Sequence, residues 1–242
     1  MTVYEKIENT CSLSAYWNAL LKLNTGIILK NRLQLRISEG NVSFSDYENY
    51  KKTEEFFKFV YHYAKTCDDV LLQLEIQAEL IELCAIAQYF QINSVSSARN
   101  YITEMEKTLK KYPVPLRRIQ YYRMLARVQI LEKNYEKGIG EARKAVNMAE
   151  QQGEHDSLLY HIYGMSIRKF VEQKLYEEAK ECKQFNESKL LEEKLIEIKN
   201  YLSFASEQFE KVRSTNNKIA GYVSDIEMCI AVVDFGKELY NK

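Results

Sequence analysis

Apolar residues return every three or four positions along most of this chain, the spacing that gathers them on one face of an α-helix. Over 12–36, Trp17, Leu20, Leu21, Ile27, Ile28 and Leu35 form a broad stripe, with Ser12 or Ser14 placed to cap it and Ser38-Glu39-Gly40 to end it. A second helix is predicted over 44–64, where Tyr47, Tyr50, Phe56, Phe57, Val60 and Tyr61 crowd one side. Asp68 and Asp69 set acidic charge at the start of a third, 70–90, which carries Leu72, Ile76, Leu80, Leu83 and Ala87. Asn93-Ser94 turns the chain into 95–111, and Pro113 and Pro115 stop it there. From 119 a helix bearing Tyr122, Leu125, Ala126 and Val128 runs to Lys133-Asn134; the next, from Tyr135, turns Gly138, Ala142 and Ala145 inward. Gln151-Gln152-Gly153 ends that helix and Asp156 caps its successor. Asn216-Asn217 leads into a last helix, 218–240, apolar around much of its girth through Ile219, Tyr222, Val223, Ile226 and Ile230.

The pattern repeats. A small residue three places after a helix-opening position recurs as Ala98, Gly138, Ala179 and Ala220, at intervals of 40 or 41 residues. The opening positions are Val95, Tyr135, Tyr176 and Asn217, and the preceding helices carry Ala85 and Tyr89, Tyr163, and Phe204 at related places. The period requires a turn between the second helix of one unit and the first of the next, which places one near Asn186-Glu187-Ser188, although no Gly or Pro interrupts 176–213. An aromatic and a Leu-Ala pair on one helix, a Tyr at the turn and small residues on the next resemble a tetratricopeptide repeat, whose unit is about 34 residues. The longer period here amounts to about two extra helical turns per unit. The resemblance implies an all-α fold, a right-handed α-α superhelix of about 40-residue units. In that reading 1–66 is an atypical N-terminal helical hairpin, and 67–242 holds the repeats and a C-terminal capping helix over 218–240. Long units rich in Tyr and Lys also resemble, across roughly residues 70–220, the peptide-pheromone receptors of Gram-positive bacteria and their phages.

Composition narrows the functional classes. Lys+Arg and Asp+Glu both number 34, so there is no bulk positive field of the kind that drives non-specific nucleic-acid binding, and direct nucleic-acid recognition is disfavoured. The opening MTVYEKIENT lacks a basic stretch followed by an apolar core, and no apolar run reaches the roughly 20 residues of a membrane helix, so a cytoplasmic protein off the membrane is expected. Cys11, Cys67, Cys84, Cys182 and Cys229 are odd in number, scattered, and free of any CxxC pair, the pattern of reduced helix residues.

Candidate chemistry is sparse. His62 stands in a Tyr61-His62-Tyr63 cluster; His155 and His161 are six apart on different helix faces, so metal-ligand spacing is missing. Cys67 and His62 lie five apart and do not face each other on a helix. Gly138-Ile139-Gly140 follows no strand, and Asp234-Phe235-Gly236 lacks every other kinase element. No enzyme, cofactor or metal site is expected, and the many Glu-Lys neighbours suit a solvated helix face.

Binding is where the tetratricopeptide resemblance becomes specific. In that family the first helix of each unit lines a concave groove, and setting Tyr135 and Tyr176 in register implies Gln120, Arg123 and Arg127 from one unit and His161, Gly164 and Arg168 from the next. Arg offers donor forks that suit carboxylates, so an acidic segment or free C-terminus is the implied ligand. The equivalent places one unit earlier, Leu80, Leu83 and Ala87, would make that end of the groove apolar. The expected function is a non-enzymatic protein- or peptide-binding module, regulatory in consequence. The alternative is a structural subunit, or a homo-oligomer built through its terminal helices, the C-terminal one above all.

Overall fold

In the computed structural model the described residues are 14–154, 156–181, 200, 203, 204, 207 and 210. They form an all-α fold of seven helices: α1 (Ala15–Ser38), α2 (Phe44–Thr66), α3 (Val70–Ala87), α4 (Val95–Lys111), α5 (Pro115–Leu131), α6 (Tyr135–Gln151) and α7 (Ser157–Glu181). No strand occurs among the described residues, and no helix there is long and apolar enough to cross a membrane. Helices pack against their neighbours in sequence, as in a helical repeat. The chain divides into two units, Met1–Met124 and Leu125–Lys242, with the boundary inside α5.

In the first unit α3 is the central helix, touching α1, α2 and α4. Its apolar residues wrap most of its circumference, and Leu72, Ile76, Leu80, Leu83 and Ile86 share a core with Leu33 of α1 and Phe57 and Val60 of α2. The approach of α1 to α2 depends on Gly26, because a Cβ there would lie 2.9 Å from Phe57 Cδ1 and overlap the rest of the ring edge. Ser14 and Asp69 cap α1 and α3 by accepting from Trp17 N (3.4 Å) and Leu72 N (3.0 Å). At the start of α2 three donors converge on Asp46 Oδ2: Ser43 N (2.8 Å), Ser43 Oγ (2.6 Å) and Arg36 Nε (3.0 Å). These bonds, the Ser43 hydroxyl foremost, hold the Asp46 carboxyl below its ordinary range.

Connections follow the polar punctuation of the sequence. After α3 a 3-10 turn, Gln88–Phe90, and Gln91 in the left-handed region (φ 58°) lead to Ser94, whose hydroxyl donates to Cys84 O at 2.6 Å. Pro115 is the first residue of α5, where its missing N–H costs nothing. Lys133 (φ 61°) and Asn134 join α5 to α6. Val95 and Tyr135 therefore open helices as the repeat spacing predicts.

In the second unit α6 packs on α7, and Ile139, Ala142, Ala145, Val146 and Ala149 are among its buried residues. A Cβ built on Gly138 would lie 3.6 Å from Ala126 O, Gln129 Cβ and Ser166 Oγ, so α5, α6 and α7 meet there at ordinary van der Waals distance. Gly153 (φ 72°) ends α6, and Asp156 Oδ1 accepts from Leu158 N at 2.9 Å. The third opening position is not realised: α7 runs unbroken through Tyr176 and Ala179 to Glu181. One period after Lys133-Asn134 the chain has Lys174-Leu175, set among good helix formers with no Gly, Pro or Asn to break the helix. The turns expected near 186–188 and 216–217, Ala220 and the helix over 218–240 lie outside the described residues.

Candidate binding face

Two surfaces carry the polar residues implied by the repeat register, one in each unit. In the first, the three residues expected to give the groove an apolar end do not line a surface at all. Leu80, Leu83 and Ala87 are 2, 2 and 0 % exposed and belong to the core. The half-buried stripe of α3 is instead Glu75, Glu79 and Glu82, with the exposed Leu71 one turn earlier. The 3-10 turn and Gln91 make the connection after α3 longer than the one after α5, so counting back a fixed distance from Val95 does not reach the equivalent helix face.

Two acids of that stripe are matched by bases from α1 and α5. Lys30 of α1, itself 5 % exposed, pairs with Glu79 at 2.5 Å. Arg117 of α5 bonds Glu75 and also donates to Gln120 Oε1 at 2.7 Å. Gln120 is thus braced by its own helix one turn away, and the chain Glu75, Arg117, Gln120 ties the starts of α3 and α5 together. Arg118 of the same helix is exposed, whereas Arg123 is half-buried. With Leu71 and Leu116 exposed beside these pairs, the surface offers apolar footholds next to charge that is already balanced.

In the second unit Arg127 is half-buried and directs Nη1 at Met165 Sδ, 3.2 Å away. Arg168 is also half-buried, with Nε 3.6 Å from Glu172 Oε1 one turn on. His161 is only 5 % exposed and Gly164 is buried, so neither faces an open surface. Their assignment rested on a turn at Tyr176, and α7 has no turn there. Next to His161, Tyr163 accepts from Arg143 Nε at 2.8 Å, and Phe204 meets both the Tyr163 ring, at 5.4 Å between centroids, and the Arg143 guanidinium. Burial raises the Tyr163 hydroxyl above its ordinary value against the opposing pull of Arg143. Tyr160 donates to Glu150 Oε1 at 2.9 Å, and burial with that bond pushes it up to about 12.

Among the described residues Cys67 is exposed and Cys84 is buried. Burial pushes the Cys84 thiol up to about 12, far from the thiolate a nucleophile needs. Among the described residues no three His, Cys, Asp or Glu side chains gather as metal ligands would. The residues that the repeat register missed are Glu75, Glu79, Glu82, Lys30 and Arg117. A signal for the acids was present, since charged residues spaced four and three apart on an otherwise apolar helix mark its one face outside the core. No family model matches the chain, and neither a curated protein nor a solved structure matches it.

Proposed function

We propose that this chain is a non-enzymatic, tetratricopeptide-like binding module that grips a peptide or a segment of a partner protein along the faces of its first helices, and that occupancy regulates what the protein does. The observation that carries this reading is the state of the α5 row. Gln120, Arg123 and Arg127, spaced to share one helix face, are all half-buried, whereas idle arginines extend into solvent as Arg118 does. A half-buried guanidinium keeps its fork oriented and loses less side-chain freedom on meeting a carboxylate. The preferred ligand is a short segment with an acidic group for Arg123 and an apolar side chain for the Leu71 and Leu116 surface of the same unit; Arg127 offers a second fork for an acidic group. The likeness of its long, Tyr- and Lys-rich units to peptide-pheromone receptors favours a peptide as that ligand.

The test is selection of a random peptide library with free C-termini on the full chain, followed by titration of the enriched peptides. Acidic sequences should emerge, and Arg123→Ala with Arg127→Ala should weaken them by at least about tenfold, the scale of one lost charge-assisted contact. Unchanged affinity in the double variant would reject the α5 row as the site.

A further inference from the structure

Among the described residues, seven of the ten exposed large hydrophobic side chains belong to the first hairpin or the residues joining it: Tyr16, Trp17, Ile28, Leu35, Val42, Phe44 and Phe59. Concentration of this kind marks an interaction surface. Six of the α1 positions fall into a pattern, three of them among these exposed side chains. Leu21, Ile28 and Leu35 are seven apart; Trp17, Asn24 and Asn31 are seven apart; the two series interleave at alternating steps of four and three. This is the seam spacing of a coiled coil. Ala19, Gly26 and Leu33, also seven apart, face the core from the far side of the same helix. The seam is therefore the outward face of α1, with Trp17 60 % and Ile28 67 % exposed.

We propose that this face pairs in parallel with α1 of a second copy of the chain. The occupant is fixed by the two asparagines. A parallel, in-register pair sets Asn24 against Asn24 and Asn31 against Asn31, and an amide both donates and accepts, so each finds its partner in its own copy. The same pairing sets Leu21, Ile28 and Leu35 each against itself. An antiparallel pair would press Asn24 on Ile28 and Asn31 on Leu21, leaving amides opposite side chains with no hydrogen-bonding group. Asn in a seam is known to fix register in this way. In the parallel arrangement Arg32 faces Ile27 of the other copy five positions earlier, so no like charges oppose one another along the flank. This pairing uses neither Arg123 nor Arg127 and is independent of the peptide-binding reading.

Sedimentation of the full chain over a range of concentrations, with Ile28→Asp and Asn24→Cys variants, tests it. A dimer is expected, its dissociation constant raised more than about tenfold by Ile28→Asp; the residue is exposed, so the circular dichroism of the variant should match the parent, and its melting curve should match that of the parent diluted until it is monomeric. Mild oxidation of Asn24→Cys should yield a covalent dimer that the parent, with its own cysteines, does not form. A chain that is monomeric at every concentration, a dimer indifferent to Ile28→Asp, or cross-linking of Asn24→Cys only with an added cysteine at Ile28 would each overturn the proposal.

Discussion

Gly26 and Gly138 look alike in sequence and behave differently in the packed protein. A methyl group at Gly26 collides with the fully buried Phe57 ring, which is walled in by the α3 core and cannot withdraw. Gly26→Ala should therefore cost about 1–3 kcal/mol, the usual range for overpacking, read as a lower urea midpoint. At Gly138 the nearest atoms stand at 3.6 Å, so the methyl fits and the helix gains propensity. Gly138→Ala should stabilise by up to about 1 kcal/mol in the same assay. The inward direction of Gly138 was legible from its place in the repeat; Gly26 was not, because what it meets lies on another helix some thirty residues away. Asp46 gives a pH signature. A carboxyl held below its unfolded value contributes stability that is complete above about pH 4 and is lost as pH falls through the lower folded value. Urea midpoints taken between about pH 6 and 2 should show that acid loss in the parent and a flatter limb in Asp46→Asn.

At the scale of elements, the helix boundaries were readable wherever a polar cap or a breaker stands beside an apolar run. Ser14, Asp69, Ser94, Pro115, Asn134 and Gly153 each mark an end that the structure realises within a few residues. The failure at Tyr176 shows the limit of periodicity: a repeat spacing cannot make a turn where Leu175 stands in place of Asn134 and strong helix formers surround it. Three connections hold a residue other than glycine in left-handed backbone, Asp68, Gln91 and Lys133, of which Asp tolerates it best. Gln91 and Lys133 adopt left-handed backbone that glycine holds without penalty, so Gln91→Gly and Lys133→Gly should each raise stability by about 1 kcal/mol, checked by thermal melting. The Lys30 to Glu79 pair between α1 and α3 is the other element-scale device. Glu79→Ala leaves Lys30 buried without its countercharge and should cost about 3–5 kcal/mol, whereas Lys30→Met with Glu79→Leu should recover most of it.

For the whole molecule, the helical-repeat architecture followed from sequence because each hairpin writes its own local signals, and sequential packing needs little else. The candidate face was legible only in part. The register placed Gln120, Arg123 and Arg127 along α5, where they are half-buried, but Glu75, Glu79 and Lys30 became visible only through pairings between helices, and the register that assigned His161, which is buried, depended on an unrealised turn. The central claim is that ligand engages the first helices through their half-buried polar rows. Amide hydrogen exchange of the full chain, with and without a peptide taken from library selection, tests it most directly. Slowed exchange concentrated in α3 and α5, and lost in the Arg123→Ala, Arg127→Ala variant, is the predicted result; protection confined to α2, α4 and α6 would contradict it.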